Sequence, residues 1–385
     1  VCYDWVAFNR GGKHKIDYIK TDDNLTNEVW FYSSDRIDGA TPVKDACVVS
    51  ILNTTQIDSF DFSETALPQN QRTYTGCEKK DIELLRNLCE SSLSYRYPEA
   101  NSIILDRIEK ELKTIQQMGF VSYFLINWDI INYARSKGYF YVGRGSGANS
   151  VVAYLLRITN VDPIELDLYF ERFINLYRTN QPDFDIDLSW TERDDVTNYI
   201  FKRFKNVALV ATYNTFQYRA VIRELGKVFG LPKTEIDRLS RGELASSDSR
   251  HLADLVIKYG KYIHGFPSHL SIHSSGIIIS EKPIQWFTAT FMPPKGFPTI
   301  QFDMHVCEDV GLYKFDILSQ RGLGKIKDAV EIIRKNKPEE SVIDINDISR
   351  FKDDPKIKTM LREAQAIGCF YVESPAMRML LKKLQ

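Results

Sequence analysis

The sequence has few cysteines and histidines, and their spacing excludes the common metal and redox motifs. Its six cysteines form no Cys-x-x-Cys pair, and none of them has zinc-finger spacing from the six histidines. The pattern therefore excludes a zinc-finger module and a dithiol redox centre, and we expect ordinary reduced thiols.

Long apolar runs, internal repeats and low-complexity tracts are also missing. No apolar run reaches the roughly 18 residues of a membrane span, and the first residues have no basic segment of the kind that opens a signal peptide. These absences predict a soluble cytoplasmic protein with no membrane partner. The start at Val1 and the end at Gln385, inside an uncapped amphipathic pattern, favour a fragment of a larger protein.

The charge is almost balanced, with 50 basic and 51 acidic residues, so the chain has no global basic field. Any nucleic-acid surface must come from local clusters. The best cluster lies within residues 213–241, and a solvated helix face is the alternative interpretation. Its members are Arg219, Arg223, Lys227, Lys233, Arg238 and Arg241.

A length of 385 residues predicts two or three folded units. Residues 1–60 contain short β-type runs at 28–32 and 46–52. Residues 59–76 are polar and show little periodicity, which predicts a linker.

Apolar side chains recur at three- and four-residue spacing after residue 101, which predicts an amphipathic helix. The positions are Ile104, Leu105, Ile108, Leu112 and Ile115. Further helices are expected at residues 122–137, 216–225 and 233–239 and from 324 onward. β-type runs predict strands at 276–280, 299–303 and 312–318.

A glycine-rich stretch at residues 139–150 (YFYVGRGSGANS) precedes an apolar run, which predicts a strand, a loop and a helix. Glycines let the backbone approach an anion, and we expect the amides at the start of the helix to donate to it. Ser146 adds a hydroxyl donor. The pattern predicts a phosphate site, and a tight strand-to-helix connection is the alternative.

Three aspartates alternate with apolar residues within residues 181–188 (QPDFDIDL). In a strand, Asp183, Asp185 and Asp187 share one face with neighbours about 6 to 7 Å apart. No cation within the motif relieves their repulsion, so the spacing predicts a Mg²⁺ site completed by substrate phosphates. Two such ions suit nucleotidyl transfer to a primer 3′ oxygen. An acidic edge strand that resists aggregation is the alternative.

A second alternating strand, residues 313–318 (YKFDIL), places Lys314 and Asp316 on one face, and an isolated ion pair is the alternative. His269 and His273 have the spacing of a zinc helix, but no Glu follows His269 and a β-type run begins at once. A zinc-protease site is therefore excluded. We expect these histidines to be structural, with a contact of His273 to phosphate or substrate as the alternative.

Together these motifs resemble the active-site order of polymerase-beta-like nucleotidyltransferases. More specifically, residues 119–324 resemble the alpha subunit of bacterial DNA polymerase III, the C family of replicative polymerases. The motifs that carry the resemblance are residues 143–148 (GRGSGA), 162–173 (DPIELDLYFERF), 182–187 (PDFDID), 211–216 (ATYNTF) and 314–318 (KFDIL). Residues 369–374 (CFYVES) resemble a short motif near the start of the family's fingers.

The resemblance implies catalytic, metal-binding roles for Asp183, Asp185 and Asp316, which would hold two Mg²⁺ ions. Spacing alone leaves open whether Asp183 or Asp187 is the partner of Asp185. The resemblance also implies nucleotide contacts from Gly145, Ser146, Lys314, Arg172 and Arg178. It implies DNA contacts from Arg219, Arg223, Lys227, Arg238 and Arg241.

The implied fold is α+β, a polymerase-beta-like palm of mixed sheet and helices with an inserted helical thumb. The implied layout is palm at residues 61–211 and 268–322, thumb at 212–267 and the start of the fingers at 323–385. Residues 1–60 would be an N-terminal remnant of unknown role, with the family's phosphoesterase-like domain as one origin.

The implied activity is template-directed transfer of dNMP to a primer 3′-OH with pyrophosphate release. The implied partners are primer-template DNA and dNTP and, in a full-length parent, the sliding clamp and other replisome subunits. The chain departs from the family's usual residues at Leu176, at Leu188 and at 273–276 (HSSG), where Pro, Phe and His-Ala-Ala-Gly are usual. None of these departures removes a catalytic group.

Two other functions stay open at this point. A metal-dependent phosphohydrolase or nuclease would normally place a histidine or a general base near the carboxylates, and the acidic strand contains neither. A catalytically silent fragment that grips DNA is the second alternative. No exonuclease signature is present, so we expect no 3′ to 5′ digestion.

Overall fold

The structure is a computed structural model, and it describes residues 16–21, 28–33, 49–50, 69–175, 182–339 and 343–384. The chain divides into two compact units, Val1–Leu67 and Pro68–Gln385. The described part of the first unit is a three-stranded antiparallel sheet in the order β1-β2-β3. Its strands are β1 (Ile16–Thr21), β2 (Glu28–Ser33) and β3 (Val49–Ser50). The predicted run at 28–32 is confirmed in β2, and most of the run at 46–52 lies outside the described residues.

Three helices open the second unit: α1 (Glu78–Arg96), α2 (Ser102–Gln117) and α3 (Val121–Ser136). The last two confirm the helices expected after residue 101 and at 122–137. Asn101 caps α2, because its side-chain oxygen accepts a hydrogen bond from the Ile104 amide at 3.1 Å. Four of the five periodic apolar residues are buried, and Leu105 is exposed. Helix α1 was not predicted.

Residues 69–71 hydrogen-bond to the backbone of the sheet region, so the predicted linker does not extend through them. The Asn70 side chain accepts from the Tyr313 amide at 2.8 Å and donates to the Tyr313 carbonyl at 2.7 Å. Asn70 also forms an isolated bridge with Ser280. The linker prediction was wrong for these residues because it was based on local polarity. Their polar groups instead hydrogen-bond to backbone that is distant in the sequence.

A seven-stranded mixed sheet forms the centre of this unit, in the order β4-β5-β10-β7-β6-β9-β8. Strands β5 and β10 are parallel, as are β6 and β9, and the other neighbours are antiparallel. The α+β class expected for a polymerase-beta-like palm is confirmed. The strands are β4 (Tyr141–Arg144), β5 (Asp185–Ser189), β6 (Val207–Thr215), β7 (Pro267–Ile279), β8 (Thr290–Phe291), β9 (Thr299–Ile300) and β10 (Lys314–Gln320).

An aromatic core packs against the buried side of the acidic motif. Phe184 is buried, and its ring lies 5.4 Å from that of Tyr123, 5.2 Å from that of Phe124 and 4.9 Å from that of Phe173. The Phe184 amide donates to the Tyr123 hydroxyl at 2.9 Å. The apolar face of the alternating motif is therefore buried as predicted, which aims the intervening aspartates at the opposite face. Helices α4 (Val151–Leu155) and α5 (Arg193–Arg203) also belong to this unit.

A helical insertion connects the antiparallel strands β6 and β7. It consists of α6 (Tyr218–Val228), α7 (Lys233–Ser240), a 3₁₀ turn (Ser247–Ser249) and α8 (Arg250–Ile263). The helices predicted at 216–225 and 233–239 are confirmed. The insertion has its own core, made by Ile222, Leu231, Ile236, Leu239, Ala253 and Val256.

The remaining helices are α9 (Met304–Asp309), α10 (Arg321–Asn336), α11 (Ile348–Lys352), α12 (Pro355–Arg362) and α13 (Pro375–Leu384). The strand expected at 299–303 is shorter than predicted, because the Asp303 side chain caps α9 by accepting from the Val306 amide at 3.0 Å. None of the helices that the structure describes combines the length and apolar character needed to cross a membrane.

Candidate functional site

Strand register brings the motifs of the sequence into one row across the sheet. Asp185 on β5 pairs with Arg144 on one side and with Asp316 of the parallel strand β10 on the other. Asp316 pairs in turn with Gly276 on β7. Directly paired residues project to the same face, so the two carboxylates face each other although 131 residues separate them in the chain.

Asp183 completes a group of three carboxylates. One side-chain oxygen from each of Asp183, Asp185 and Asp316 lies within 4.8 Å of the others. Asp316 is buried at 4 % exposure, Asp185 is half-buried, and Asp183 is exposed just before β5 begins. Three converging carboxylate oxygens with an open side match the hard-oxygen ligand set of Mg²⁺, so these residues could hold the metal.

Asp187 lies outside this group, although alternation placed it on the same face. It is fully buried, and its carboxylate accepts from Arg144 Nε at 2.8 Å, from Gln320 Nε2 at 3.3 Å and from the Tyr371 hydroxyl. The choice between Asp183 and Asp187, which spacing left open, therefore has a geometric answer in the described residues. Only Asp183 converges with Asp185 and Asp316.

Two cations from neighbouring strands face the carboxylates. Lys314 Nζ lies 3.2 Å from Asp183 Oδ2 and also donates to Asp316. Arg144 Nη1 lies 2.9 Å from Asp185 Oδ2. The repulsion between the aspartates is thus reduced from outside the acidic motif, by Lys314, which the resemblance placed beside the site, and by Arg144, to which the sequence analysis gave no role.

Two of the carboxylates, Asp183 and Asp185, nevertheless have raised pKa values. The Asp183 side chain is 49 % exposed, but the surrounding residues partly desolvate its carboxylate. This desolvation and the nearby Asp316 charge raise the pKa of Asp183 to about 6, against the opposing effect of Lys314. Burial also raises the pKa of Asp185, and Arg144 opposes this shift. Burial alone would lower the pKa of Lys314, but its hydrogen bond to Asp316 and the charge of Asp183 raise it. A site of this kind favours an added positive charge.

Asp316 is oriented by a serine of the sequence 273–276 (HSSG). Ser275 Oγ donates a hydrogen bond to Asp316 Oδ1 at 2.6 Å. His273 lies nearby, where burial lowers its pKa, and its Nδ1 accepts from the Gly276 amide at 2.9 Å. This hydrogen bond stabilises the backbone at Gly276, which pairs with Asp316, and it fits a structural role for His273. His269 is exposed and only approaches Ser268 Oγ, at 3.2 Å.

The glycine-rich loop lies directly against the carboxylates. It forms a 3₁₀ turn, Gly145–Asn149, immediately after Arg144. Gly145 has φ +85°, which favours glycine, and a Cβ at this position would lie 3.1 Å from Asp185 Oδ2 and crowd that carboxylate. Gly147 packs on the Phe184 ring, and Ser146 is half-buried.

The amides at the start of α4 are not available to an anion, contrary to the sequence-based expectation. The amides of Val151 and Val152 donate to the carboxylate of Glu111, at 3.1 and 3.2 Å, and that of Ala153 donates to Ser150 Oγ at 3.1 Å. Glu111 is fully buried, and burial raises its pKa against these hydrogen bonds. Any contact between a phosphate and the backbone of this loop must therefore come from the 3₁₀ turn itself. The sequence did contain a sign of this arrangement, because Glu111 lies on the otherwise apolar face of α2.

The predicted DNA-contacting residues separate into two sets. Arg219, Arg223 and Lys227 follow one another at four-residue spacing along α6 and are exposed. Lys227 pairs with Glu224, and Arg238 and Arg241 pair with the nearby carboxylates of Glu235 and Glu243. Arg219 and Arg223 make no ion pair among the residues that the structure describes.

Two of the predicted nucleotide contacts cannot be placed at the carboxylates. Arg172 is exposed at the end of a short 3₁₀ helix, Phe170–Arg172, and the group of converging carboxylates does not place it at the site. Arg178 lies outside the described residues. Lys314 and Gly145 lie beside the aspartates, and Ser146 follows Gly145 in the 3₁₀ turn.

The fold and the row of carboxylates define a polymerase-beta-like palm with a candidate divalent-metal site. Comparison with protein families narrows this class. Residues 83–319 match the bacterial DNA polymerase III alpha NTPase domain, and residues 322–385 match the finger domain of the same subunit. The chain belongs to the family of bacterial DNA polymerase III alpha subunits.

Curated relatives carry two names. The chain is 35 % identical over 322 residues to an error-prone DNA polymerase of Symbiobacterium thermophilum, covering 78 % of this chain and 29 % of the relative. It is 35 % identical over 325 residues to DNA polymerase III subunit alpha of Bacillus subtilis, covering 79 % and 29 %. It is 32 % identical over 412 aligned positions to the corresponding subunit of Buchnera aphidicola, covering 99 % and 35 %. The chain thus spans about a third of the length of these relatives.

Proposed function

We propose that this chain is the catalytic module of a DNA-directed DNA polymerase, which transfers dNMP to a primer 3′-OH with release of pyrophosphate. The observation that carries the proposal is the row across the sheet. It sets Asp185 opposite Asp316 and brings Asp183 within 4.8 Å of both through one oxygen of each side chain. The same three residues are those that the family resemblance assigns to the metal ions.

In this proposal Asp183, Asp185 and Asp316 hold two Mg²⁺ ions, which would stabilise the charge that develops on the phosphates during transfer. Ser275 fixes the rotamer of Asp316, and Lys314 keeps a positive charge where the acidic site needs it. The turn Gly145–Asn149 brings the Gly145 backbone close to Asp185, which suits a triphosphate bound to the same ions, and the Ser146 hydroxyl follows in the same turn.

The helical insertion supports the second part of the proposal, contact with primer-template DNA. Three cations follow one face of α6, and two of them, Arg219 and Arg223, have no carboxylate partner among the described residues. Such a row can contact successive phosphates without reading sequence. We propose that this insertion is the thumb and that the segment from about residue 323 opens the fingers. Contacts with a sliding clamp and other replisome subunits are proposals for a full-length protein.

Primer extension by the 385-residue chain tests the proposal and separates it from the two alternatives. We expect the labelled primer to gain the nucleotides that the template specifies in the presence of Mg²⁺ and dNTP. Asp185→Asn and Asp316→Asn should abolish this gain, and the matched control Asp194→Asn, with a side chain 70 % exposed, should not. Shortening of the primer would support a nuclease, and retention of DNA without extension would support a catalytically silent fragment.

A further inference from the structure

Asp187 joins three separate segments of the chain although it is not among the three converging carboxylates. Its buried side chain accepts from Arg144 at the end of β4, from Gln320 at the end of β10 and from Tyr371. Tyr371 lies within residues 322–385, the part that matches the finger domain. A fully buried carboxylate needs such donors to offset its desolvation.

The segment that carries Tyr371 contacts α10 and β5 through two adjacent aromatic residues. The Phe370 ring packs against the α carbon of Gly322, at the start of α10, so closely that no side chain fits there. Tyr371 itself has φ +71°, a conformation that a residue with a Cβ adopts only where its surroundings hold it. The hydroxyl of Tyr371 and the carboxylate of Asp187 thus form a defined contact between the finger-matching segment and β5.

Arg144 extends this contact to the candidate metal site. Its guanidinium is shared, with Nε on Asp187 at 2.8 Å and Nη1 on Asp185 at 2.9 Å. Two carboxylates compete for one cation, so Asp187 limits how strongly Arg144 can neutralise Asp185. If asparagine replaced Asp187, Asp185 would become the only charged partner of Arg144 among the described residues. A metal ion that binds Asp185 would then have to displace the Arg144 guanidinium.

We propose that Asp187 is a positioning residue that shares the charge of Arg144 with Asp185 and docks the finger-matching segment through Tyr371. The first half of this inference rests on the proposed metal role of Asp185. The second half rests only on the contacts of Asp187. Docking of the finger-matching segment and metal binding at the candidate site would therefore both depend on the buried carboxylate of Asp187.

A titration with Mn²⁺, followed by electron paramagnetic resonance at fixed pH, tests the first half. We expect Asp187→Asn to weaken Mn²⁺ binding about tenfold, because the charge-assisted bond of Arg144 shifts to Asp185. In an Arg144→Gln background the same substitution should have no effect. A loss that persists in that background would make Asp187 a metal ligand, and no loss with Arg144 present would refute the positioning role. Asp194→Asn is the matched control.

Hydrogen exchange tests the second half without metal. Asp187→Asn and Tyr371→Phe should each speed amide exchange in residues 366–374 by about tenfold, since both remove one charge-assisted hydrogen bond. Tyr169→Phe, a hydroxyl deletion at a residue 69 % exposed, should leave this segment unchanged. Unchanged exchange in both test variants would overturn the docking role. If the unmodified chain bound no Mn²⁺, the proposed metal site would fail, and this exchange result would still decide whether Asp187 docks the segment.

Discussion

Replacement of Glu111 by glutamine should destabilise the unit that carries the site and release its glycine-rich loop. The carboxylate of Glu111 is fully buried and accepts from Arg107 Nε at 2.7 Å, from Ser150 Oγ at 2.7 Å and from the amides of Val151 and Val152. Arg107 in turn donates to the Asn149 carbonyl at 3.2 Å. One ion pair therefore fixes the residue at the end of the 3₁₀ turn and the start of the following helix.

The expected cost follows from what glutamine cannot do. Its amide nitrogen would face donors where Glu111 offers an acceptor, and Arg107 would lose its charged partner. Breaking a buried pair in this way costs about 3 to 5 kcal/mol. Glutamine retains one acceptor oxygen and relieves the desolvation that raises the pKa of Glu111, so we expect about 2 to 3 kcal/mol.

Urea denaturation of the two variants Glu111→Gln and Glu109→Gln measures this difference. Glu109 lies on the same helix and pairs with Arg86, but both side chains are exposed, at 59 % and 42 %, so its loss should cost less than about 1 kcal/mol. Hydrogen exchange in residues 145–153 should increase only in Glu111→Gln. Equal free energies of unfolding for the two variants would refute the claim that Glu111 anchors the loop.

Three further predictions concern other parts of the chain. Gly322→Ala should cost about 1 to 3 kcal/mol of overpacking against the ring above it. Faster hydrogen exchange in residues 366–374 would show it, and unchanged exchange would contradict it. The pKa of Asp183 is raised from 3.8 to about 6, so its contribution to metal-free stability is present below pH 3.8 and is lost as pH rises to about 6. Asp183→Asn should therefore gain stability relative to the unmodified chain between pH 4 and 7 in urea denaturation, and parallel pH curves would count against this. Arg219→Gln and Arg223→Gln should each lower the salt dependence of primer-template binding by about one released counterion, measured by fluorescence anisotropy. An unaltered slope would exclude phosphate contacts there.

Periodicity was enough to predict the elements that carry the site. Alternation placed Phe184 in the core and Asp185 on the opposite face, and helical spacing predicted α2 and α3 with their buried residues. These patterns predict structure correctly because each depends only on which face of one helix or strand is buried.

Partnerships across the sheet could not be predicted in the same way. The pairing of Asp185 with Asp316 depends on the register of two parallel strands, and nothing local fixes that register. Alternation grouped Asp187 with the other aspartates because it cannot show that Arg144, on a neighbouring strand, binds that side chain.

The glycine-rich loop shows a different kind of miss. A strand, a loop and a helix were predicted correctly, but the helix amides were assigned to an anion. The acceptor that takes them, Glu111, lies on another helix about forty residues earlier in the chain. A glutamate within the apolar stripe of α2 was a visible conflict between local pattern and burial, and such conflicts indicate a buried polar partner.

Calorimetric titration of Mn²⁺ into the 385-residue chain, with a deoxynucleoside triphosphate present, tests the central claim most directly. We predict saturable binding that is weakened by each of Asp183→Asn, Asp185→Asn and Asp316→Asn and unaffected by the exposed control Asp194→Asn. Binding that is indifferent to all three substitutions, or no binding at all, would contradict the claim that these carboxylates form one metal and nucleotide site.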